Sequence, residues 1–240
     1  MSEFDFEGVF DEDYLYFYET MLTPERTAGE VEQIVELLGP RDEVLDCPCG
    51  HGRISNALAE RGYRVVGLDR SELFLERARA DAKARGVDVE YVQGDMRELP
   101  WRERFDGVVN WFTSFGYFDD ETNRAVAQGF HDALRPGGRL VVESMNLIRV
   151  LKYFGGIHLL ERDDDLMLDQ VELDVVESAT QTERIIVRGG RVRRTHFRVR
   201  MYTFVELRGL LEAIGFENVH PGIEPSAENR LLVVADRPRS

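Results

Sequence analysis

The stretch VLDCPCGHGRIS, residues 44–55, decides the fold of this 240-residue chain. A short apolar run ends at Asp46, a loop carrying Gly50 and Gly52 follows, and a helix is predicted over residues 53–61. Glycine permits a sharp backbone turn and lets a ligand approach the backbone closely. A strand, a glycine loop and the start of a helix therefore predict a site for a nucleotide cofactor.

Cys47, Cys49 and His51 share this loop, which raises the alternative of a metal site. They could supply three ligands, whereas a structural zinc normally takes four, usually from two separated clusters. The sequence contains no further cysteine. We therefore predict that no metal is bound and that both thiols are reduced, which is typical of a cytoplasmic protein.

Strands and helices alternate around this loop. The predicted strands are 43–46, 64–69, 89–95, 105–112 and 139–145. One predicted helix begins after Ser71 as N-cap and ends at Gly86, and an earlier helix begins with Thr27 and Glu30 as a capping box. This alternation predicts an α/β fold with a doubly wound, parallel sheet.

The pattern changes late in the chain. Residues 166–202 alternate between apolar and polar side chains, and Gly189 and Gly190 mark the turn of a hairpin. We therefore predict an antiparallel β insertion that serves as a substrate cap or a dimer contact. The predicted domains are an acidic, aromatic lid at 1–26, an α/β core at 27–146 and 204–240, and the insertion at 147–203.

The net charge of −15 disfavours nucleic acid as a partner, because a negative field repels phosphates. No apolar run approaches the 18 residues of a membrane span, and the acidic N-terminus lacks the basic region of a signal peptide. We expect a small-molecule substrate, no nucleic acid and no membrane.

The acidic residues that end the first two strands bear on the choice of cofactor. Asp69 can accept hydrogen bonds from both hydroxyls of a ribose. A pyrophosphate would sit on the loop at the start of the helix, where Asp46 would repel it, and the third glycine of G-x-G-x-x-G is replaced by Ser55. S-adenosylmethionine fits better, because it has an adenosine end, a cationic sulfonium and ammonium end, and no phosphate. An NAD(P)-dependent oxidoreductase is the alternative enzyme.

Five stretches resemble, in order, the motifs of class I S-adenosylmethionine-dependent methyltransferases. They are VLDCPCGHGR, VVGLDRS, VQGDMRELP, FDGVVNWFTSFGYF and LRPGGRLVVES. The resemblance covers residues 27–146, with the closing helix and strand within 204–236, and it implies a Rossmann-like, mostly parallel seven-stranded sheet. The first motif of the family has a glycine where this chain has Pro48. A protein that binds the cofactor without catalysis, such as a sensor, would show the same motifs.

The resemblance also implies which residues bind the cofactor. The loop Asp46–Gly50 would hold the methionine end, Asp69 the ribose, and Asp95 the adenine amino group. The full set of implied cofactor residues is Asp46, Cys47, Pro48, Cys49, Gly50, Asp69, Arg70, Asp95, Met96 and Asn110.

Methyl transfer is an in-line displacement on an activated methyl group, so the protein mainly aligns the acceptor and excludes water. The aromatic run NWFTSFGYF, residues 110–118, predicts such a pocket, with Trp111 and Phe115 against the acceptor. The layout is similar to that of amino-sugar N,N-dimethyltransferases. This similarity implies that Tyr18 and Tyr117 are catalytic residues near the transferred methyl group.

The strand RTHFRVRMY, residues 194–202, places His196, Arg198 and Arg200 on one face. We predict that Arg198 and Arg200 bind an anionic group of the acceptor, and that His196 serves as a base. The alternative is that these residues pair across the strands with Glu172, Asp174 and Glu177. The identity of the acceptor, and whether nitrogen, oxygen or carbon is methylated, are not encoded in any of these patterns.

Overall fold

The structure, a computed structural model, describes residues 5–222 and 230–239. These residues form two β-sheets and eight α-helices. The first eight elements are α1 (Phe6–Val9), α2 (Glu12–Tyr18), α3 (Pro24–Leu38), β1 (Glu43–Asp46), α4 (Arg53–Glu60), β2 (Arg64–Asp69), α5 (Glu72–Arg85) and β3 (Val89–Gln93). The remaining elements are β4 (Phe105–Asn110), α6 (Asp120–Ala133), β5 (Leu134–Met145), α7 (Leu147–Tyr153), β6 (Ile157–Arg162), β7 (Asp165–Asp174), β8 (Ala179–Arg188), β9 (Arg191–Arg200), α8 (Phe204–Ile214), β10 (Glu217–Pro221) and β11 (Arg230–Asp236).

The larger sheet has seven strands in the order β10-β11-β5-β4-β1-β2-β3. Strands β1 to β5 pair in parallel, and β11 runs antiparallel to both β5 and β10. The predicted doubly wound, mostly parallel sheet is confirmed. The strand order reverses between β1 and β4, and ligands of such sheets bind in the crevice at the carboxyl ends of the strands on either side of that reversal. Asp46 and Asn110 end these two strands.

The sheet is buried on both faces, as a parallel sheet with helices on either side must be. Val44 of β1 packs with Ile34 and Leu38 of α3 on one face. Its neighbour Leu45 packs on the other face in a cluster that includes Phe130 of α6. The carboxyl edge of the sheet is thereby held rigidly between two layers of helices.

The smaller sheet is an antiparallel array in the order β6-β7-β8-β9. Gly189 and Gly190 connect β8 to β9 with φ values of 55° and 74°, a left-handed conformation that glycine adopts without strain. The predicted antiparallel insertion is confirmed. Phe17 of α2 packs against Met167 and Ile186 on one face of this sheet, so the N-terminal helices lie against it.

The helix before β1 begins earlier than predicted. Its N-cap is Thr23, which accepts a hydrogen bond from the backbone N–H of Arg26 at 3.2 Å, and Pro24 occupies the first turn. Proline fits that position because its φ is already helical and it has no N–H to satisfy. Thr27 therefore lies inside the helix, and Glu30 binds Arg26 and Arg53 and is not part of a capping box. The predicted Thr27 cap is wrong.

Other boundaries also differ from the predictions. Strands β3 and β4 end at Gln93 and Asn110, each two residues early, and β5 begins at Leu134. The helices α1 and α2 were not anticipated. The longest helix of the described residues, α3, has 15 residues, and within that part of the chain no helix is long and apolar enough to cross a membrane.

Candidate functional site

Two cavities lie at the carboxyl edge of the large sheet. The loop cavity, of about 870 Å³ including its open part, is lined by the glycine loop and the residues that follow β2, β3 and β4. The inter-sheet cavity, of about 1930 Å³ including its open part, lies between the loop after β4 and the small sheet. The charged and titratable residues that line the loop cavity include Asp46, His51, Arg53, Asp69, Arg70 and Asp95.

Asp46 lines the loop cavity although its side chain is almost fully buried. Ser55, in the first turn of α4, donates its hydroxyl to Oδ2 of Asp46 at 2.6 Å. Burial raises the pKa of Asp46 to about 7, and the hydrogen bond from Ser55 offsets this only in part. A nearby cation would favour the ionised form of such a carboxyl group, so this end of the cavity suits a cationic ligand group.

Asp69, at the end of β2, organises the glycine loop. Its Oδ2 accepts a hydrogen bond from the backbone N–H of Gly50, and its Oδ1 accepts one from that of Ser71, both at 2.8 Å. Gly50 has φ of 55°, and a Cβ there would meet no atom, so glycine serves the backbone conformation and leaves space for a ligand. Burial raises the pKa of Asp69, against these hydrogen bonds. The remaining lone pairs of the carboxylate can accept from hydroxyl groups.

Asp95 and Arg70 line the side of the loop cavity that lies beyond β2 and β3. Arg97 binds Asp95 through Nε, 3.0 Å from Oδ1, and Nη2, 2.7 Å from Oδ2. Burial opposes ionisation of Asp95, but the hydrogen bonds from Arg97 prevail and its pKa is lowered. Arg70 lies 3.7 Å from Asp95 and over the ring of Phe6, and Met96 adds an apolar surface.

Of the loop residues that the resemblance implied for cofactor binding, Pro48, Cys49 and Gly50 line the loop cavity, whereas Cys47 does not, and neither does Asn110. Cys47 is buried in the core beneath the loop. Asn110 donates Nδ2–H to the carbonyl oxygen of Cys47 at 2.8 Å. Both residues therefore support the loop from behind, because β1 and β4 are adjacent strands. Among the described residues, no group of three His, Cys, Asp or Glu side chains could hold a metal ion.

Four rings line both cavities and separate them: Phe10, Tyr14, Phe112 and Tyr117. We call this set the aromatic junction. Tyr14 stacks on Tyr18 with ring centroids 4.2 Å apart. Burial raises the pKa values of Tyr14 and Tyr117, so both hydroxyls stay protonated at neutral pH. Tyr18 itself lines the inter-sheet cavity but not the loop cavity.

A glutamate that the sequence analysis missed holds the loop after β4. Phe112 and Thr113 have φ values of 60° and 62°, which non-glycine residues rarely adopt. Glu143 of β5 accepts a hydrogen bond from the backbone N–H of Thr113 at 3.1 Å. Burial raises the pKa of Glu143 to about 7, although the charge of Arg230 opposes this. The available signal was an acidic residue inside an otherwise apolar strand.

Trp111 and Phe115 were both predicted to contact the acceptor. Trp111 lines the loop cavity and not the inter-sheet cavity. Phe115 lines neither and packs in the core, with its ring 5.5 Å from that of Tyr202. The structure therefore contradicts the prediction for Phe115. The backbone before it passes through the left-handed residues Phe112 and Thr113, and the side chain of Phe115 packs in the core.

The structure also contradicts the predicted roles of His196, Arg198 and Arg200. Alternate residues of β9 point to opposite sides, and Phe197 and Val199 line the inter-sheet cavity. The side chains of the predicted residues therefore lie on the other face. His196 is 73% exposed and lies 3.6 Å from Glu183, and Arg198 lies 3.7 Å from Glu177, so the alternative of cross-strand pairing holds in part.

Arg200 is bound to carboxylates of neighbouring elements. It lies 3.1 Å from Asp120 and 3.2 Å from Glu206, and its guanidinium covers the ring of Tyr202. These contacts explain the burial of an arginine at the end of β9. They leave it tied to α6 and α8 and away from the inter-sheet cavity.

One ion pair within the inter-sheet cavity was also missed. Arg184 of β8 and Asp169 of β7 are direct cross-strand partners, and both line the cavity. Nε and Nη2 of Arg184 each lie 2.7 Å from an oxygen of Asp169, and Nη2 also donates to the hydroxyl of Tyr18 at 3.2 Å. The available signal was the charged residue Arg184 at a position of β8 whose side chain faces the cavity.

Comparison with known proteins agrees with this geometry. Residues 44–138 match the family model of a methyltransferase domain. A dTDP-3-amino-3,4,6-trideoxy-alpha-D-glucopyranose N,N-dimethyltransferase of Streptomyces venezuelae is 35% identical over 122 residues, which are 48% of this chain and 49% of that enzyme. The chain spans about half the length of the curated relatives it matches.

Solved structures match over nearly the whole chain. The CcbJ methyltransferase of Streptomyces caelestis superposes with a TM-score of 0.81 at 21% identity, covering 99% of this chain and 100% of that one. The CalS10 amino pentose methyltransferase of Micromonospora echinaspora, with S-adenosylmethionine bound, superposes with a TM-score of 0.70 at 22% identity, covering 96% and 99%. The fold is thus that of S-adenosylmethionine-dependent methyltransferases. The match to the methyltransferase-domain model falls on residues 44–138, the part of the chain that contains the predicted cofactor motifs.

Proposed function

We propose that this protein is an S-adenosylmethionine-dependent methyltransferase that transfers a methyl group to a small molecule by in-line displacement. The observation that carries the proposal is the pair of cavities that meet at the aromatic junction. The loop cavity would hold the methyl donor and the inter-sheet cavity the acceptor. The junction would align the two and exclude water, which is the main task of a protein in this reaction.

The residues of the loop cavity fit S-adenosylmethionine. Asp46 is a buried carboxyl group that accepts a hydrogen bond from Ser55, and among the described residues no cation is hydrogen-bonded to it. The charge of Arg53 favours its ionised form only in part, and a sulfonium or ammonium group would favour it further. Asp69 would bind the ribose hydroxyls, and Asp95 with Met96 would bind the adenine. Cys47 and Asn110 would act as positioning residues beneath the loop. When bound, S-adenosylmethionine would supply an activated methyl group on a cationic sulfur.

The junction favours an amine as the acceptor. Tyr14 and Tyr117 stay protonated at neutral pH, so neither can remove a proton from an alcohol. His51 lines the loop cavity with a pKa lowered by burial to about 4, which makes it a weak base. A neutral amine can attack the methyl group with its nitrogen lone pair, and no base has to remove a proton first. The names of the two sugar-modifying relatives, an N,N-dimethyltransferase and an amino pentose methyltransferase, support the same choice.

No anionic group of the acceptor is proposed at Arg198 or Arg200. The expectation of an anion rested on Arg198 and Arg200, which lie on the other face of β9 and have carboxylate neighbours. Tyr18 and Tyr117 keep their proposed places beside the transferred methyl group, because both line the inter-sheet cavity. His196 is not proposed as a base.

The N-terminal helices are proposed to act as a lid over the α/β core, within the predicted lid of residues 1–26, of which residues 1–4 lie outside the described part. Phe10 and Tyr14 contribute to both cavities. Asp13 binds Arg188 at 2.8 Å and Arg193 at 2.9 Å, which joins the lid to the small sheet. We propose that residues 147–203 cap the acceptor from the other side.

A homodimer through the insertion is also proposed. Four exposed apolar residues lie close together in the chain, in α7 and in its junction with β6. They are Ile148, Leu151, Phe154 and Ile157. A second copy of the chain would cover them. Light scattering should give a dimer for the native chain and a monomer for the variant Ile148→Asp/Leu151→Asp. A native monomer would dismiss this part of the proposal.

A reducing, cytoplasmic location is proposed from the cysteines. Cys47 and Cys49 are free, buried thiols, and burial raises both pKa values, which makes them unreactive. Fractionation of the cells that express this chain would test the location.

The proposed activity is tested in two steps. Calorimetry should detect binding of S-adenosylmethionine and of S-adenosylhomocysteine, and no comparable binding of NAD(P). Incubation with methyl-labelled S-adenosylmethionine and a panel of small amines, alcohols and amino sugars should then label an amine. Binding of NAD(P) in place of S-adenosylmethionine would indicate an oxidoreductase, and tight cofactor binding without transfer to any acceptor would indicate a sensor.

A further inference from the structure

We infer that Asp169 and Arg184 form a recognition site for a hydroxyl group of the acceptor, on the wall of the inter-sheet cavity. This inference rests on the proposed function and specifies its substrate class as a hydroxylated amine. Its basis is an ion pair whose donors and acceptors are only partly used by the protein itself.

The pair has a fixed geometry. Asp169 and Arg184 lie opposite one another on β7 and β8, and their side chains are 15% and 3% exposed. Two parallel hydrogen bonds of 2.7 Å join them. Such a bidentate pair is directional, and the paired strands on both sides hold it in place. The site therefore exists before any ligand arrives.

Within the described part of the chain, one end of the guanidinium makes no hydrogen bond. A guanidinium carries five N–H donors, and those of Nε and Nη2 serve Asp169 and Tyr18. Nη1 of Arg184 is buried and has no hydrogen-bond acceptor among the residues that the structure describes. A buried donor without an acceptor is costly, and a ligand oxygen beside it would remove that cost. Arg184, a residue of the cavity wall, thus has a buried donor that a ligand oxygen could satisfy.

The chemistry of the pair selects a hydroxyl group. The positive charge of Arg184 and the negative charge of Asp169 cancel, so a carboxylate or phosphate would be repelled by one partner while it is attracted by the other. A hydroxyl group can accept a hydrogen bond from Nη1, and it adds no charge beside the neutral pair. The other titratable residues that line the cavity are Tyr14, Tyr18, Tyr117, Arg149 and His158.

The residues around the pair would let it orient the acceptor relative to the aromatic junction. Met167, Val171 and Phe197 present apolar surface around it in the same cavity. Tyr18 links the pair to the aromatic junction, because it accepts a hydrogen bond from Arg184 and stacks on Tyr14. A hydroxyl bound by the pair would therefore fix the distance of the acceptor nitrogen from the junction.

The test uses two matched probes, aminocyclohexanol and cyclohexylamine, which differ by one hydroxyl group. Each is titrated into the full chain saturated with S-adenosylhomocysteine, and binding is measured by calorimetry or ligand-observed NMR. The native chain should bind aminocyclohexanol at least ~10-fold more tightly, because the hydroxyl completes the unpaired donor. Equal affinities in the native chain would overturn the inference.

Variants separate recognition from folding. Asp169→Asn keeps the shape of the side chain but leaves Arg184 without a counter-charge, so the neutral double variant Asp169→Asn/Arg184→Gln is made beside it. The double variant should lose the preference for the hydroxylated probe, and both variants should bind S-adenosylhomocysteine as before. Arg194→Gln, which breaks an exposed pair with Glu183, is the control and should keep the preference. A preference retained in the folded double variant would also overturn the inference. If the native chain does not bind S-adenosylhomocysteine, that result would instead contradict the proposed function.

Discussion

The backbone N–H of Gly50 donates a hydrogen bond to Oδ2 of Asp69 at 2.8 Å, and so ties the glycine loop to the end of the neighbouring strand. The second oxygen of the carboxylate is bound by the backbone N–H of Ser71 at the start of α5. One side chain therefore sets the positions of a loop and of a helix. Under the proposed function it would also bind the ribose, which makes it the most informative residue to change.

Asp69→Ala should weaken S-adenosylmethionine binding by roughly 10- to 100-fold, because ribose hydroxyls left without a partner cost about 1–3 kcal/mol. Asp69→Asn should weaken binding less, since one acceptor oxygen remains. Calorimetry on the purified variants measures both effects. Unchanged affinity in Asp69→Ala would show that this carboxylate does not bind the ligand.

The affinity for S-adenosylmethionine should increase as the pH rises through about 7. Burial raises the pKa of Asp46 to about 7, so the carboxyl group is neutral below that pH and ionised above it. A cationic ligand binds the ionised form, and the affinity should level off once ionisation is complete. Calorimetry across this pH range gives the curve.

Two variants check the origin of that pH dependence. Asp46→Asn should bind weakly, with affinity independent of pH in this range. Ser55→Ala removes a hydrogen bond that favours the ionised form, so the midpoint of the curve should move to higher pH. A midpoint that stays in place in both variants would assign the titration to another group.

Glu143→Gln should stabilise the ligand-free protein above pH 7. Burial raises the pKa of Glu143 from its usual 4.5 to about 7, so between these pH values the folded state binds more protons than the unfolded state. Stability from this group is therefore highest below pH 4.5 and falls as the pH rises to 7. Glutamine keeps an acceptor for the N–H of Thr113 without the charge, and the gain should be roughly 1–3 kcal/mol.

Denaturant unfolding at several pH values measures this effect, and Glu143→Ala is the informative comparison. The alanine leaves the Thr113 N–H without an acceptor and releases the two left-handed residues Phe112 and Thr113. It should lower both stability and methyl transfer. A glutamine variant less stable than the native protein above pH 7 would show that the carboxylate is ionised and well bound in the fold.

Arg200→Gln should lower stability by about 1 kcal/mol without changing the KM for the acceptor, because Arg200 joins β9 to Asp120 and Glu206. Thermal unfolding and steady-state kinetics measure the two quantities. Arg198→Gln, which affects a longer contact of 3.7 Å with Glu177, should change neither. A large rise in KM for Arg200→Gln would restore the sequence-based expectation of an arginine that binds the acceptor.

Local patterns were sufficient for most of the large sheet. Ser71 is the N-cap of α5 and Gly86 is its C-cap, as predicted. Both ends could be read from the sequence, because an N-cap hydroxyl and a left-handed glycine each act within one helical turn. The start of α3 was misplaced because Thr23 and Thr27 both offer a capping hydroxyl, and the proline after Thr23 decided between them.

The site was only partly predictable, because its decisive contacts join separate elements. The motif residues Asp46 and Asp69 follow their strands closely, and the structure brings both to one cavity. The contact of Glu143 with Thr113 spans 30 residues, and that of Arg184 with Tyr18 spans 166. A local signal marks Glu143 and Arg184 themselves, but no local signal identifies the residues that they contact. For β9 the alternation was right, but which face met the cavity depended on how the small sheet packs.

Phe10 and Tyr14 belong to the walls of both cavities. A ligand that orders these rings in one cavity lowers the entropy that a ligand in the other must still lose. The two binding equilibria are then coupled. By thermodynamic linkage, a methyl donor that raises the affinity for the acceptor by some factor must have its own affinity raised by the acceptor by the same factor. Under the proposed function, the shared aromatic wall would therefore couple the binding of the methyl donor and of the acceptor within a single chain.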